Sequence, residues 1–175
     1  FGGAPIVLNM LANAPKDQQK ELKRKVYVLT AGAPPPSIIF EKMKKLGFEV
    51  MHVYGLTETY GHILQCAWND EWDGLDQDNQ NEIKARQGVR YPNTEGVVVM
   101  DPETMKPIPH DGKTMGEIMI RGNVVMKGYF KDKEATEKSM EGGWFHSGDL
   151  AVTHPSGYIK ICLLYTSPSP RDLRK

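Results

Sequence analysis

Cysteine is scarce in this 175-residue sequence: only Cys66 and Cys162, far apart and without a CxxC pair. That argues against a disulfide framework and against a structural zinc site, and makes a reducing, cytoplasmic setting the default. No apolar run approaches the length a helix needs to cross a bilayer, so no transmembrane segment is expected. A signal-peptide pattern is missing as well. Neither sign of charge is in excess, with 22 Lys and Arg against 22 Asp and Glu. Bulk electrostatics therefore give no reason to expect nucleic acid or an anionic membrane as partner. Internal repeats and long linkers are absent. What remains is a chain with 39% hydrophobic residues, long enough for one domain or parts of two.

Both ends break the pattern. The chain starts at Phe1, in mid-pattern, and "CLLYTSPSPRDLRK" (162–175) turns a strand rhythm into a Ser/Pro-rich tail. Residues 162–172 look like one translated frame of a sequencing-library adapter, so the tail is set aside as a cloning or assembly scar; a natural disordered tail is the alternative. Between the ends, "PIVLNMLANAP" (5–15) has apolar residues at helical spacing. "VYVLTAG" (26–32) is a β-branched run stopped by glycine and reads as a buried strand. "APPPSIIFEKMKKLG" (33–47) opens with prolines, sets Ile38, Ile39, Met43 and Leu46 on one face and closes with glycine, the signature of a helix. "FEVMHVYG" (48–55) is the next strand. Strand, helix, strand over so few residues is a βαβ unit with parallel strands.

After Gly61 the texture changes. Residues 68–80 are acidic and turn-rich, "NEIKARQG" is a short helix, and from Thr94 short strands alternate with turn chemistry at Asp111-Gly112 and Gly116. "KDKEATEKSM" (131–140) is a charged helix with a solvated face. "GGWFHSGDLAVTHPSGYIKI" (142–161) is two strands around a turn at Pro155 to Gly157. The fold class expected is α/β: the end of a mostly parallel layered subdomain in residues 1–66, then a linker and a small β-rich, barrel-like subdomain in 67–161, then the tail, 162–175.

In open parallel sheets ligands bind beyond the carboxyl ends of the strands. Two such ends fall on one edge here, "TAGAPPP" after the first strand and "YGLTET" after the second. Glycine lets backbone amides approach a ligand. Thr57 offers a donor for a phosphate oxygen, Glu58 a hard oxygen for Mg²⁺ and Tyr54 a flat ring for a base. The same letters also suit an ordinary strand exit with a helix cap. Asp149, in "HSGDL", is placed to accept from both hydroxyls of a ribose, or to make an Asx turn.

"TAGAPPP", "VYGLTETYG", "GEIMIRGNVVMKGYFKDKEAT" and "GGWFHSGDL" occur in that order with sensible spacing. Together they resemble the adenylate-forming superfamily, specifically the acyl-CoA synthetases, over Phe1 to about Ile161. "GGAPIVLNML" and the tryptophans after "ETYG" are most similar to the medium- and long-chain fatty acyl-CoA synthetases and the methylmercaptopropionate-type acyl-CoA ligases. The resemblance implies that Gly32, Ala33 and Pro34 line an adenine pocket, with Tyr54 packing on the base and His52, Val53, Gly55 and Leu56 around it. It implies Thr57 on the α-phosphate, Glu58 as the Mg²⁺ ligand and Asp149 on the ribose. Ser147 keeps a hydroxyl where the family usually has Thr, whereas Gly61-His62 departs from the common pattern and leaves the acyl or CoA channel open.

The reaction implied joins a carboxylate to AMP from ATP, with magnesium, and then to coenzyme A. The partners implied are the carboxylate, ATP and CoA, together with missing N- and C-terminal portions of the same chain. Those portions would hold a phosphate loop upstream, and an arginine and a lysine-bearing domain downstream. The residues present are accordingly expected to be inactive alone. Rival readings are an adenylation domain of a peptide synthetase and a non-enzymatic β-rich binding module. His146 reads as a structural turn residue, Trp68, Trp72 and Trp144 as packing, Cys66 as a small buried hydrophobe, and the methionines between 100 and 126 as strand core.

Overall fold

The computed structural model describes residues 1–20, 22–32 and 35–163. Ala33 and Pro34 of the expected adenine turn, and residues 164–175 of the expected tail, lie outside the described residues. Two compact units emerge: Phe1–Gly55 with Leu64–Val89, and Leu56–Ile63 with the described chain from Arg90 onward.

The first unit is the βαβ arrangement. Helix α1 (Pro5–Ala12) starts on proline, whose missing N–H has no intrahelical partner to lose at that position. Strand β1 (Val26–Thr30), helix α2 (Ser37–Lys45) and strand β2 (Phe48–Leu56) follow. β1 and β2 pair in parallel from Val26 opposite Phe48 to Thr30 opposite His52. On the far side of β1, Gly2 makes a parallel bridge to Leu29. There the Gly3 N–H donates to the Leu29 carbonyl at 2.9 Å. Strand β3 (Gly61–Gln65), helix α3 (Gln77–Lys84) and the short β4 (Val89–Arg90) complete a sheet of order β1-β2-β3-β4. The core is one face of β1 and β2, Val28 and Val50, packed with Leu8 and Ala12 of α1 and with Ile39, Phe40 and Met43 of α2. Full burial of such a side chain contributes about 1.5–3 kcal/mol.

Three local expectations change. β1 is covered on one face only, since Tyr27 is 66% and Leu29 38% exposed. In α2 the inward arc is Ile39, Phe40 and Met43, while Ile38 is 51% exposed; positions one and four apart share an arc of about 100°, and Ile38 falls outside it. β3 was not expected as a strand at all, because "GHILQ" is short and lacks a clear apolar–polar alternation.

The second unit carries β5 (Gly96–Asp101), β6 (Lys106–Pro107), β7 (Gly116–Arg121), α4 (Lys133–Ser139), β8 (Phe145–Thr153) and β9 (Ile159–Leu163). They form a sheet of order β6-β5-β7-β8-β9, antiparallel at every pairing. β7 is central, and Gly116 through Ile120 are buried on both faces. Asp132 caps α4 by accepting the Ala135 N–H at 3.0 Å. Before β7, backbone N–H groups of Thr114 and Lys113 and the Thr114 hydroxyl all bond to Asp111. Those bonds, Thr114's foremost, hold its carboxyl down at about 2. Met100 and Met119 are core as expected, but Met115 is 56% exposed. Trp144 packs structurally, with the Arg121 guanidinium 4.6 Å above its ring. β9 runs two residues past Ile161 into the segment assigned to the tail; backbone pairing is indifferent to the origin of those letters.

Candidate active site

At the end of the first unit's parallel strands, Gly32 is exposed with φ 93°, a left-handed conformation glycine adopts without strain. His52 is 1% exposed. Its Nδ1 lies 3.2 Å from the Ala85 carbonyl oxygen and 3.4 Å from Gln87 Nε2. Burial pushes the ring's pKa below its ordinary 6.5, against the opposing pull of the Ala85 and Gly32 backbones. His52 Nε2 and the hydroxyl of its cross-strand neighbour Thr30 are both buried with no hydrogen-bond partner among the described residues. Val53 is 4% and Tyr54 5% exposed, so little of the tyrosine ring is open to a stacking base; Gly55 is half-buried. An open depression of about 380 Å³ touches His52, Tyr27, Cys66, Trp68 and Lys84, and includes none of Tyr54, Thr57, Glu58 and Asp149. Its lining adds Lys25, Lys44, Glu49, Asp70 and Asp73, charged groups separate from the strand-end set. Within it Trp68 packs edge-on to Trp72 at 5.4 Å and donates its indole N–H to Asp73 at 2.9 Å, a packing role.

In the second unit, β2 continues through Leu56, so Gly55 belongs to the strand and is not the turn expected there. The turn is Thr57–Thr59, one 3₁₀ turn, followed by Tyr60 at φ 56°. The two hydroxyls flanking the acid separate in role. Thr59 is 1% exposed. It accepts the Leu56 N–H at 2.9 Å and lies 3.0 Å and 2.8 Å from the carbonyls of Leu56 and Gly61, so it staples the turn. Thr57 is exposed and Glu58 half-buried. The Glu58 carbonyl accepts the Met126 N–H at 2.7 Å. Its carboxylate Oε1 accepts the Tyr129 hydroxyl at 3.2 Å. Burial first, then the Glu58 charge and this bond, raise the Tyr129 pKa. Sequence reasoning did not single out Tyr129; the only signal was its place in the "VMKGYF" block.

Asp149 is 4% exposed. It is the fifth residue of β8 and sits inside a bulge, not in a turn at a strand start as the sequence reading had it. His146 is structural, with Nδ1 3.1 Å from Glu117 Oε2 and Nε2 3.2 Å from the Glu141 carbonyl oxygen.

No group of three or more His, Cys, Asp or Glu side chains that could cage a metal occurs among the described residues. Glu58 is one anchored, half-exposed carboxylate with Oε2 not engaged in a hydrogen bond among the described residues. Such a donor fits Mg²⁺, which keeps several waters and takes other ligands from substrate phosphates.

Residues 1–130 match the family described as AMP-binding enzyme. The chain belongs to that family. It is 56% identical over 163 residues to an acetate–CoA ligase of Humulus lupulus, covering 92% of this chain and 28% of that protein. It is 55% identical, with the same coverage, to a peroxisomal acetate/butyrate–CoA ligase of Arabidopsis thaliana. The N-terminal domain of FACL13 from Mycobacterium tuberculosis shares the fold, with a TM-score of 0.74 at 25% identity over 93% of this chain and 38% of that one. The chain thus spans about 28% of the length of the curated relatives it matches. The resemblance read from the four ordered blocks is borne out, as is the α/β fold. Among the described residues no helix is long and apolar enough to cross a membrane.

Proposed function

We propose that the chain is a segment of an ATP-dependent acyl-CoA synthetase. In this reading residues 1–66 are the end of the nucleotide-binding subdomain, and residues 67–161 begin the β-rich one. The carboxylate oxygen attacks the α-phosphorus of ATP, the bond to the β-phosphate oxygen breaks, and acyl-AMP and pyrophosphate form. The thiol of coenzyme A then attacks the acyl carbon and AMP leaves. Relatives named for acetate and butyrate favour the short end of the aliphatic carboxylates as substrate, whereas the synthetases that the sequence blocks resemble are medium- and long-chain. A reducing, cytoplasmic setting accords with two free cysteines, beside a relative whose name places it in the peroxisome.

Thr57, exposed at the rim of the stapled turn, donates to the α-phosphate. Glu58 holds the magnesium, which when bound neutralises phosphate charge. Asp149 accepts from the ribose hydroxyls, and Gly32, Ala33 and Pro34 with Gly55 and Leu56 line the base, with His52, Val53 and Tyr54 buried beneath that wall. The observation that carries this reading is the latch on Glu58. A carboxylate held at both its backbone and its side chain, next to an exposed hydroxyl, is preorganised for phosphate and metal without reorganising during reaction.

The test is pyrophosphate release by the intact enzyme with ATP and acetate or butyrate. Thr57→Ala and Glu58→Gln are each expected to lower kcat by about 100-fold, the scale of one lost electrostatic contact. Wild-type acyl-AMP formation by both variants would refute the assignment.

A further inference from the structure

The bulge in β8 is held from the facing strand. Glu117 pairs with Leu150 and Met119 with His146, so Ile118 alone opposes three residues, 147–149. Two residues are in excess there, and their backbone groups lose their ladder partners. Gly148 takes φ 75°, which favours glycine. Its N–H donates to Glu117 Oε1 at 2.7 Å. The other oxygen of the same carboxylate faces His146 Nδ1, and the Asp149 N–H donates to Ser147 Oγ at 3.1 Å. The Glu117 and His146 side chains are only 12% and 18% exposed. One carboxylate thus grips the looped-out residues at the last regular pair before them and at their apex.

We infer that Glu117 is a positioning residue for nucleotide selection: by gripping Gly148 and His146 it sets the bulge that carries Asp149, and through it the recognition of the ribose. This rests on the reading of Asp149 as the ribose acceptor. Glu117 touches no substrate in this scheme. A carboxylate that accepts from two ribose hydroxyls must be placed within a few tenths of an ångström, and a bulge without its grip does not hold that placement.

The experiment compares ATP with 2′-deoxy-ATP in the intact enzyme, reading kcat/KM for each nucleotide, KM for the carboxylate and the thermal midpoint. Wild type is expected to prefer ATP by about 10-fold, the scale of one hydrogen bond to a charged group. Asp149→Ala is expected to abolish that preference. Glu117→Ala should reduce it to within about twofold of Asp149→Ala while KM for the carboxylate stays put, and Glu117→Gln, which keeps an oxygen for Gly148, should give an intermediate ratio. If wild type shows no preference, or Asp149→Ala keeps it, the ribose reading fails. If wild type discriminates, Asp149→Ala does not, and Glu117→Ala and Glu117→Gln both retain the full ratio, the positioning role is overturned. Should Glu117→Ala not fold, the isosteric Glu117→Gln decides by the same ratio.

Discussion

His52 shows at the scale of one residue what burial does to a titratable group. The ring is buried, one nitrogen faces the Ala85 carbonyl, and the other has no partner among the described residues. Burial disfavours the charged ring, so the folded protein resists a proton that the unfolded chain accepts near pH 6.5. Below that value the unfolded state binds more protons than the folded one, and stability falls as pH drops toward the lowered pKa. Urea unfolding of the intact enzyme between about pH 7.5 and about pH 5.5 should therefore show a decline that His52→Gln flattens. An unchanged slope in the variant would show that His52 takes up its proton equally in the folded and unfolded states. Thr57 and Thr59 make the complementary point. The two letters are identical and two apart, yet one is exposed and the other is locked to Leu56 and Gly61.

Among the elements, the approach of β4 to β3 depends on a missing side chain. Gly88 leads into β4 with φ 90°, and a Cβ built there would lie 1.9 Å from the Gln65 carbonyl oxygen. That contact is with backbone, so no rotamer change relieves it. Gly88→Ala is expected to cost at least about 2 kcal/mol, from overpacking and an unfavourable φ together. Gly74→Ala is the control, because nothing lies within 4 Å of its added Cβ. Thermal melts of the two variants of the intact protein should differ by several degrees, roughly 2–4 °C per kcal/mol for a domain of this size. Equal midpoints would mean that the β3–β4 approach yields without cost.

The whole molecule raises the question of sufficiency. The chain spans about 28% of its relatives, and the resemblance puts a phosphate loop before it and a lysine-bearing domain after it. Exposed Ile6, Met10 and Tyr27 leave apolar surface on the first unit uncovered. These 175 residues, purified alone, are expected to release no measurable pyrophosphate from ATP with any aliphatic carboxylate, while the intact enzyme does. Pyrophosphate release at the intact enzyme's rate would show that these 175 residues already complete the site.

Much of this architecture was written locally. Proline opening α1 and preceding α2, glycine after α2, the β-branched run at 26–30 and the strand pattern at 48–55 report on backbone geometry a few residues away, and the βαβ unit followed from them. So did the placement of Thr57 and Glu58 beyond a strand. The latch from Tyr129 to Glu58 spans 71 residues, and the grip of Glu117 on Gly148 spans 31. Neither pair has a periodicity, because each is created by how the later segment returns beside the earlier one. Strand register and the bulge in β8 set those distances, and they are properties of paired chains rather than of any one stretch of letters.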